Sequence, residues 1–450
     1  MKSPSVSLIA ALFLCAVSAT VRAETGNQAA RRITLDQAYD MTLASDQSIQ
    51  IAFYQIRKAD LLPWSALAKM GPQLTGNAGW DVNRKSSAID VVSVDSTSTR
   101  TQVINSDGGQ TGLTFSQPLF DPVVFPAYRL GKLSAKSARL QHQFTVRQTL
   151  FGVAQAYYNV LKLQSVVKIN QQTVDLATTQ LGLAQARFDA GAVARIDVLR
   201  AKATLESARN NLIISEGQLQ SNRDTLSNIL NLGGKTDFEL AEPPNAPEEQ
   251  ASFEKILSRA YEGREDYRVS AIAIDQDIAA RGEIVAQYAP SVAVQASTQW
   301  TAGSGSGPSR THENDAFLTL RMPFLTGGQR EIDLRTANHQ ISQTRLNYEK
   351  TTKSIESEVK NAWLKVGTGR ESIQALTAEV EAATQNYNDL QAQYEAGTAT
   401  SLDVQSALRD LNNSRTLLSS QSYDYQVALR DLQRAEAIFE KSRVEKAKVK

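Results

Sequence analysis

Histidine and cysteine, which often carry catalytic or metal chemistry, number only three and one in this 450-residue sequence, and none of its many Asp/Glu pairs is distinguished from a solvated helix surface. Besides His312, its histidines are His142 and His339, which fall in helical stretches without a second metal-ligating residue at a recognisable spacing. The glycine-containing run 303–307 leads into a proline, with neither a lysine nor a helical pattern behind it, so it does not match a phosphate-binding loop. We therefore predict no enzymatic activity, no cofactor and no metal site.

Two segments share a distinctive spacing of glycine and aspartate. Gly191 precedes Asp197-Val198, and Gly397 precedes Asp403-Val404 at the same spacing. Glycine accommodates the left-handed backbone that often ends a helix. An aspartate in the first turn of the next helix can cap free N–H groups and is favoured by the helix dipole. Each segment is therefore predicted to be a turn between two helices.

These turns belong to an internal duplication. Residues 187–191 match 393–397, and 113–118 match 318–323 with a one-residue slip. The chain is therefore predicted to have five parts: a signal peptide at 1–23, a first repeat at 24–239, a linker at 240–251, a second repeat at 252–439 and a charged tail at 440–450.

The N-terminus has the pattern of an export signal. Lys2 precedes the mostly apolar segment Val6–Val17, and cleavage is predicted after Ala23. The only cysteine, Cys15, follows a leucine rather than the small residue that a lipidation site requires, so we expect a mature chain without lipid or cysteine. No later stretch has the length of a membrane helix.

Each repeat is predicted to open with helix and continue with a strand hairpin. The helical segments are Thr34–Met70, kinked near Pro63, and Ser252–Tyr288. Apolar and polar residues then alternate along segments of about ten residues, a length that crosses a bilayer at a tilt. Polar stretches at Lys85–Gly109 and Thr301–Asn314 are expected to be exposed loops. Alternation alone is also compatible with a sheet packed on a soluble core, but the same flanking context recurs in both repeats, which favours the membrane.

After each hairpin, apolar residues recur in heptads, which indicate a coiled coil. Asp121-Pro122 is a suitable helix start, and 121–190 is expected to form one continuous helix or two stacked helices spanning about 100 Å. Shorter helices are predicted to return from near Arg195 and Ser401. The predicted fold is mainly α with a small β part.

Four strands cannot close a membrane barrel, so a membrane protein of this design must share its barrel between copies. Eight strands leave room only for side chains, and a channel therefore favours three or more chains. The formal net charge of +1 gives no electrostatic reason to expect a nucleic-acid partner. A soluble periplasmic coiled-coil scaffold or adaptor is the alternative, although it needs no amphipathic hairpins.

The duplicated strand–helix order and the two Gly-x-x-x-x-x-Asp-Val turns resemble the TolC family of outer-membrane efflux and secretion channels, over about residues 34–439. The resemblance implies a homotrimer with a twelve-stranded barrel in outer-membrane lipid and a periplasmic α-helical tunnel. It also implies a periplasmic adaptor (membrane fusion) protein and an inner-membrane pump of the RND or ABC type as partners. Multidrug efflux and type I protein secretion both remain open as functions.

The resemblance also implies a gate at the periplasmic tip. Asp403, Tyr394 and Asp197 occupy matching gate positions, whereas Ser406 and Ala399 replace the second aspartate and the arginine of the family pattern. A single ring of three Asp403 carboxylates would favour bound cations, and helix capping by Asp197 and Asp403 is the alternative role. Six turn residues resemble the tips that adaptors grip: Gly191, Ala192, Val193, Gly397, Thr398 and Ala399.

Overall fold

The computed structural model describes residues 31–93, 96–247, 251–304 and 308–447. The predicted signal peptide, with Cys15, lies outside the described residues. The elements of the first half of the chain are β1 (Arg31–Ile33), α1 (Leu35–Ser45), α2 (Gln47–Asp60), α3 (Leu62–Ala68), β2 (Gln73–Ser93), β3 (Ser96–Phe120), α4 (Val124–Asp189) and α5 (Arg195–Ile229).

The second half repeats the order of short helices, hairpin, long helix and returning helix. Its elements are β4 (Phe238–Leu240), α6 (Phe253–Gly263), α7 (Glu265–Ala286), β5 (Ser291–Ser304), β6 (Pro308–Arg321), α8 (Gln329–Ala396), α9 (Ser401–Ala435) and α10 (Lys441–Lys446). In the described part of the chain, no helix has the length and apolar character needed to cross a membrane.

The opening helical segments are divided more often than the sequence indicated. Thr34 begins α1 with a capping box, and the carboxylate of Asp46 accepts the N–H of Ile49 to begin a second helix. The cap at Asp46 competes with continuation of α1, which explains the additional break. The predicted break near Pro63 is confirmed, because α3 begins at Leu62 with the proline in its first turn. The second segment divides at Arg264.

The two hairpins form one antiparallel sheet in the order β2-β3-β5-β6. The prediction of exposed loops at Lys85–Gly109 and Thr301–Asn314 is wrong, because both strands of each hairpin continue into these ranges. The register pairs Lys85 with Ile104 and Trp300 with His312. The first stretch is rich in Val, Ile and Thr, which favour strands. Pairing of two strands satisfies their backbone hydrogen bonds even where neither face is apolar.

Directly paired residues lie on the same face, so the register separates an apolar face from a polar one. The apolar face carries Leu74, Leu113, Phe115, Val292, Val294, Trp300, Leu318 and Leu320. The opposite face carries Gln73, Thr75, Asn77, Thr114, Ser116, Gln295, Gln299 and Asp315. Most of the large apolar side chains are exposed within a single chain, Leu74 at 69% and Leu320 at 67%. The predicted alternation of apolar and polar residues is confirmed.

The long helix of the first repeat is a single continuous element. α4 has 66 residues, or about 100 Å of length, and the corresponding α8 has 68. It begins at Val124, three residues later than Asp121, because Asp121 accepts the N–H of Val123 in a turn that precedes the helix. Asp121 therefore caps the turn before α4, and the predicted helix start at this residue is three residues too early.

The glycine turns and the returning helices are confirmed. Gly191 and Gly397 have φ values of 74° and 83°, in the left-handed region, and α5 and α9 begin at Arg195 and Ser401. The four helices meet near these turns in a cluster of buried alanine, valine, leucine and tyrosine residues: Ala177, Leu205, Ala208, Tyr387, Tyr394, Val404, Ala407, Leu408 and Leu411.

The largest core lies at the middle of the molecule, around the short parallel pair β1–β4. The buried hydroxyl of Tyr157 on α4 lies 2.8 Å from the carbonyl oxygen of Ile33 and 2.5 Å from that of Ala241. Phe439, after α9, packs edge-on against Tyr39 and Phe151 in the same core. The N-terminal strand, the segment after β4 and the C-terminal segment are thus joined to the long helices at this level.

Gly131 lets α3 approach α4 closely. A Cβ atom at this position would lie 2.7 Å from the backbone nitrogen of Pro63 and 2.9 Å from the carbonyl carbon of Leu62. We expect Gly131→Ala to lower the free energy of unfolding by about 1–3 kcal/mol, since the contact is with backbone that cannot rotate away. Urea denaturation followed by circular dichroism measures the loss.

Gly182→Ala is the matched control for this substitution. Gly182 lies on the same helix, with nothing within 4 Å of its Cβ position, so alanine should be neutral or stabilising by up to about 1 kcal/mol. Equal unfolding midpoints for the two variants would contradict the close approach of α3 and α4.

Candidate functional site

The two glycine turns lie at the same end of the molecule. The hydroxyl of Ser401, at the start of α9, donates to the carboxylate of Asp197 on α5 at 2.6 Å. Arg187, near the end of α4, donates to the backbone carbonyl of Glu395, near the end of α8. The structure therefore brings the predicted gate and docking residues together at one tip.

Asp403 closes a capping box within its own helix. Its Oδ2 accepts the N–H of Thr400 at 3.0 Å and the hydroxyl of Thr400 at 2.6 Å, while its own N–H donates to that hydroxyl at 3.3 Å. These hydrogen bonds hold the pKa of the Asp403 carboxyl below its usual value of 3.8. The carboxylate is exposed, and both bonds fall on one of its oxygens, so it remains a fixed negative charge at the tip.

Asp197 uses its carboxylate differently. The N-cap of α5 is Ala194, which has no side chain to accept a hydrogen bond, and Asp197 does not replace it. Its carboxylate instead bonds Ser401 and lies 3.9 Å from the guanidinium of Arg200. Asp197 therefore links the two repeats, whereas Asp403 stabilises its own turn.

Tyr394 packs against an arginine of the other repeat. The guanidinium of Arg187 lies 4.6 Å from the centre of the Tyr394 ring, within the range of a cation–π interaction. The Tyr394 side chain is buried, and its hydroxyl has no hydrogen-bond partner in the described part of the chain. The structure thus pairs Asp197 with Ser401 rather than with Tyr394.

Sequence reasoning missed Arg187 and Ser401. The family pattern directed attention to position 399, where alanine replaces the arginine, although the chain carries an arginine on a different helix. The repeat comparison offered a signal, because Arg187 matches Gln393 and is therefore not required by the shared helix–turn–helix design.

The six predicted docking residues are accessible. Gly191, Ala192, Gly397 and Thr398 are exposed, and the two others are partly buried. Large apolar side chains beside the turns are also exposed, among them Ile196 at 50% and Leu402 at 53%. In the described residues, no group of three or more histidine, cysteine or acidic side chains is arranged to hold a metal ion.

Long paired helices that end in two adjacent turns, joined to a small amphipathic sheet, define a subunit of a channel with a helical tunnel. The sequence profile of the outer membrane efflux protein family matches residues 38–232 and 256–436. The chain belongs to this family, which places it in the outer membrane with its helical part in the periplasm.

Relatives and solved structures agree with this family. Outer membrane protein TolC of Escherichia coli is 24% identical, with 71% of this chain and 67% of that protein covered. Alkaline protease secretion protein AprF of Pseudomonas aeruginosa is 22% identical, with 86% and 80% covered. The crystal structure of the Campylobacter jejuni CmeC outer membrane channel has the same fold, with a TM-score of 0.74, 16% identity and coverage of 92% and 89%.

Proposed function

We propose that three copies of this chain form an exit duct across the outer membrane, docked to a periplasmic adaptor and, through it, to an inner-membrane pump of the RND or ABC type. The observation that carries the proposal is the placement of an amphipathic sheet and a pair of exposed turns at opposite ends of helices about 100 Å long. Such a subunit connects a membrane layer to a distant partner.

The sheet supports a barrel shared between copies. β2 and β6 are its unpaired edges, and an open edge in lipid would leave backbone groups without hydrogen bonds. Pairing β6 of one copy with β2 of the next would satisfy both edges, and three copies would give twelve strands. The apolar face would then contact lipid, and the polar face would line a water-filled passage.

The internal duplication at 24–239 and 252–439, with the linker at 240–251 and the tail at 440–450, supports the same assembly. Three copies of a twofold repeat provide six similar helical hairpins around one axis. The adaptor is proposed to contact the tips of these hairpins at residues 191–193 and 397–399, because these residues are accessible and flanked by exposed apolar side chains. The scaffold alternative receives no support from the family to which the chain belongs.

The cargo of the duct is tested by comparing culture-supernatant proteins of the parent strain with those of a strain lacking the gene. Loss of one or a few large secreted proteins, as the relative named for alkaline protease secretion would suggest, assigns the chain to type I secretion. An unchanged supernatant together with raised sensitivity to drugs, dyes or metals assigns it to small-molecule efflux. A strain that shows neither change contradicts a role in export.

Asp403 is proposed to form a ring of three carboxylates at the tunnel tip that favours cations. Hydrogen bonds from Thr400 lower the pKa of Asp403 within one chain, so its contribution to stability is lost only as pH falls through that lower folded-state value. Repulsion between the three carboxylates of the ring opposes this shift, and we expect the ring to stay largely ionised at pH 5 and above. We expect cation preference in planar bilayers to be equal at pH 7 and pH 5.

Asp403→Ala tests the ring directly. The substitution should reduce cation preference and raise conductance, because it removes the charge and the two hydrogen bonds that Thr400 donates to the carboxylate. Asp175→Ala, which removes an exposed carboxylate from the last third of α4, is a control for charge alone. A variant at position 403 with the conductance and cation preference of the wild type would rule the ring out.

A further inference from the structure

The outer end of the apolar sheet face carries a belt of aromatic and basic side chains. Two consecutive rows of paired residues cross the sheet there. One row contains Trp300 and His312, and the next contains Trp80 and Arg310. All four side chains lie on the face that carries the apolar residues, since directly paired residues share a face and successive residues alternate.

The belt has a defined geometry. The rings of Trp300 and His312 are stacked with centroids 4.9 Å apart and planes 5° apart, and the Nε2 atom of His312 is 3.0 Å from the hydroxyl of Thr298. Trp80 lies across Gly109, where a Cβ atom would be 3.0 Å from its ring. These contacts fix the two aromatic side chains against the strands, although Trp80 is 72% exposed and Trp300 44%.

The position of the charges marks a boundary. Among the described side chains of this face, none is ionisable from the row of Val292 and Leu320 up to the two rows that contain His312 and Arg310. Eight residues separate Val292 from Trp300, about 27 Å along a strand and about 21 Å along the membrane normal at a tilt of about 40°. This is close to the height of the apolar band of an outer-membrane barrel, so Arg310 lies where hydrocarbon gives way to headgroups.

We propose that Arg310 and His312, which are neighbours on one face of β6, bind a phosphate group of a lipid A-type glycolipid in the outer leaflet, while Trp300 and Trp80 contact other parts of the same membrane layer. The proposal rests on the proposed insertion of the sheet into the outer membrane. A guanidinium forms paired hydrogen bonds to phosphate, and His312 retains Nδ1 as a second polar atom beside it. Tryptophan rings at an interface contact acyl chains with their apolar surface and headgroups with the indole N–H.

The opposite face supports this assignment by contrast. Arg321 lies on the same strand as Arg310, but its odd-numbered position places it on the polar face, paired with Ser291. It is therefore separated from lipid in the proposed barrel. The two arginines differ in the face they occupy and in their distance from the outer end of the strand, which makes Arg321 a control for loss of charge on β6.

Native mass spectrometry of the detergent-solubilised full-length exported protein tests the proposal. Bisphosphorylated lipid A is added to the wild type, Arg310→Gln, Arg310→Gln/His312→Gln and Arg321→Gln. We expect retention of the lipid to fall about fivefold in Arg310→Gln and further in the double variant, and to be unchanged in Arg321→Gln. Arg310→Lys should retain part of the binding, because it keeps the charge and loses the paired hydrogen bonds.

A second measurement on the wild type does not depend on how any variant folds. Lipid A from which both phosphates have been removed should be retained much less than the bisphosphorylated form. Equal retention of the two lipids, or equal retention by the wild type and Arg310→Gln, would overturn the proposal. Phosphatidylglycerol retained as strongly as lipid A would overturn the assignment to a glycolipid and leave a general anionic-lipid contact.

Insertion itself is measured separately, by flotation of the reconstituted protein with vesicles. Failure of the wild type to float with vesicles or to form an oligomer would contradict the proposed function. An inserted oligomer that shows no dependence on lipid phosphate would contradict this inference alone.

Discussion

Replacing Arg147 by alanine is expected to lower the free energy of unfolding by about 3–5 kcal/mol. Its guanidinium makes two hydrogen bonds to Glu265, at 2.6 and 3.3 Å, and donates to the carbonyl oxygen of Phe439 at 2.7 Å. Both charged side chains are only 6% exposed. Removing the arginine would leave a buried carboxylate without its counter-charge, and water has little access to replace it.

The position of this ion pair makes the loss global rather than local. Arg147 belongs to α4, Glu265 begins α7 and Phe439 follows α9, so one side chain connects both repeats and the C-terminal segment. We therefore expect Arg147→Ala to reduce the urea midpoint of the whole helical domain. Arg209→Ala should change it by less than about 1 kcal/mol, because the Arg209–Glu206 pair is more than half exposed.

A double replacement separates the charge from the packing. Arg147→Met with Glu265→Leu removes both charges and should recover most of the stability lost in Arg147→Ala, since apolar pairs often replace buried ion pairs at little cost. The Phe439 carbonyl would still lack its donor, so recovery should be incomplete by about 1–3 kcal/mol. An Arg147→Ala variant as stable as the wild type would show that the Arg147–Glu265 pair is hydrated in solution.

The sequence predicted the helical framework more accurately than the hairpins. Heptads extend over many residues and end at glycines, so the starts of α5 and α9 at Arg195 and Ser401 could be inferred from local signals alone. The strands were underestimated because polar, threonine-rich segments resemble loops when no buried face imposes alternation. A strand ladder depends on its partner, and that partner is not visible in a single segment.

The tip shows a second limit. Asp197 and Asp403 were identified by their spacing, yet the spacing did not reveal that one bonds across to Ser401 while the other caps its own helix. The decisive difference is a local one, Ala194 at one N-cap and Thr400 at the other. Contacts such as Arg187 on Tyr394 join helices far apart in sequence, and only the tertiary structure specifies them.

These inter-repeat contacts lead to the prediction with the largest functional effect. We expect Arg187→Ala combined with Asp197→Ala to favour opening of the proposed gate at the tip. The double variant loses the guanidinium on the Tyr394 ring, the hydrogen bond to the Glu395 carbonyl and the bond from Ser401. Loss of about 1.4 kcal/mol in the closed state is enough to raise the ratio of open to closed channels tenfold, and charge-assisted hydrogen bonds of this kind contribute about 1.5–3 kcal/mol each.

Single-channel recordings in planar bilayers measure this change, and the two single variants should each show an intermediate increase. Arg195→Ala is the matched control, because it removes an exposed positive charge at the same tip and should leave conductance unchanged. If the double variant conducts like the wild type, the two hairpins of one chain do not separate when the tip opens, and opening must occur between chains. If only Arg187→Ala has an effect, the arginine on Tyr394 holds the tip closed, and Asp197 positions Ser401 without contributing to closure.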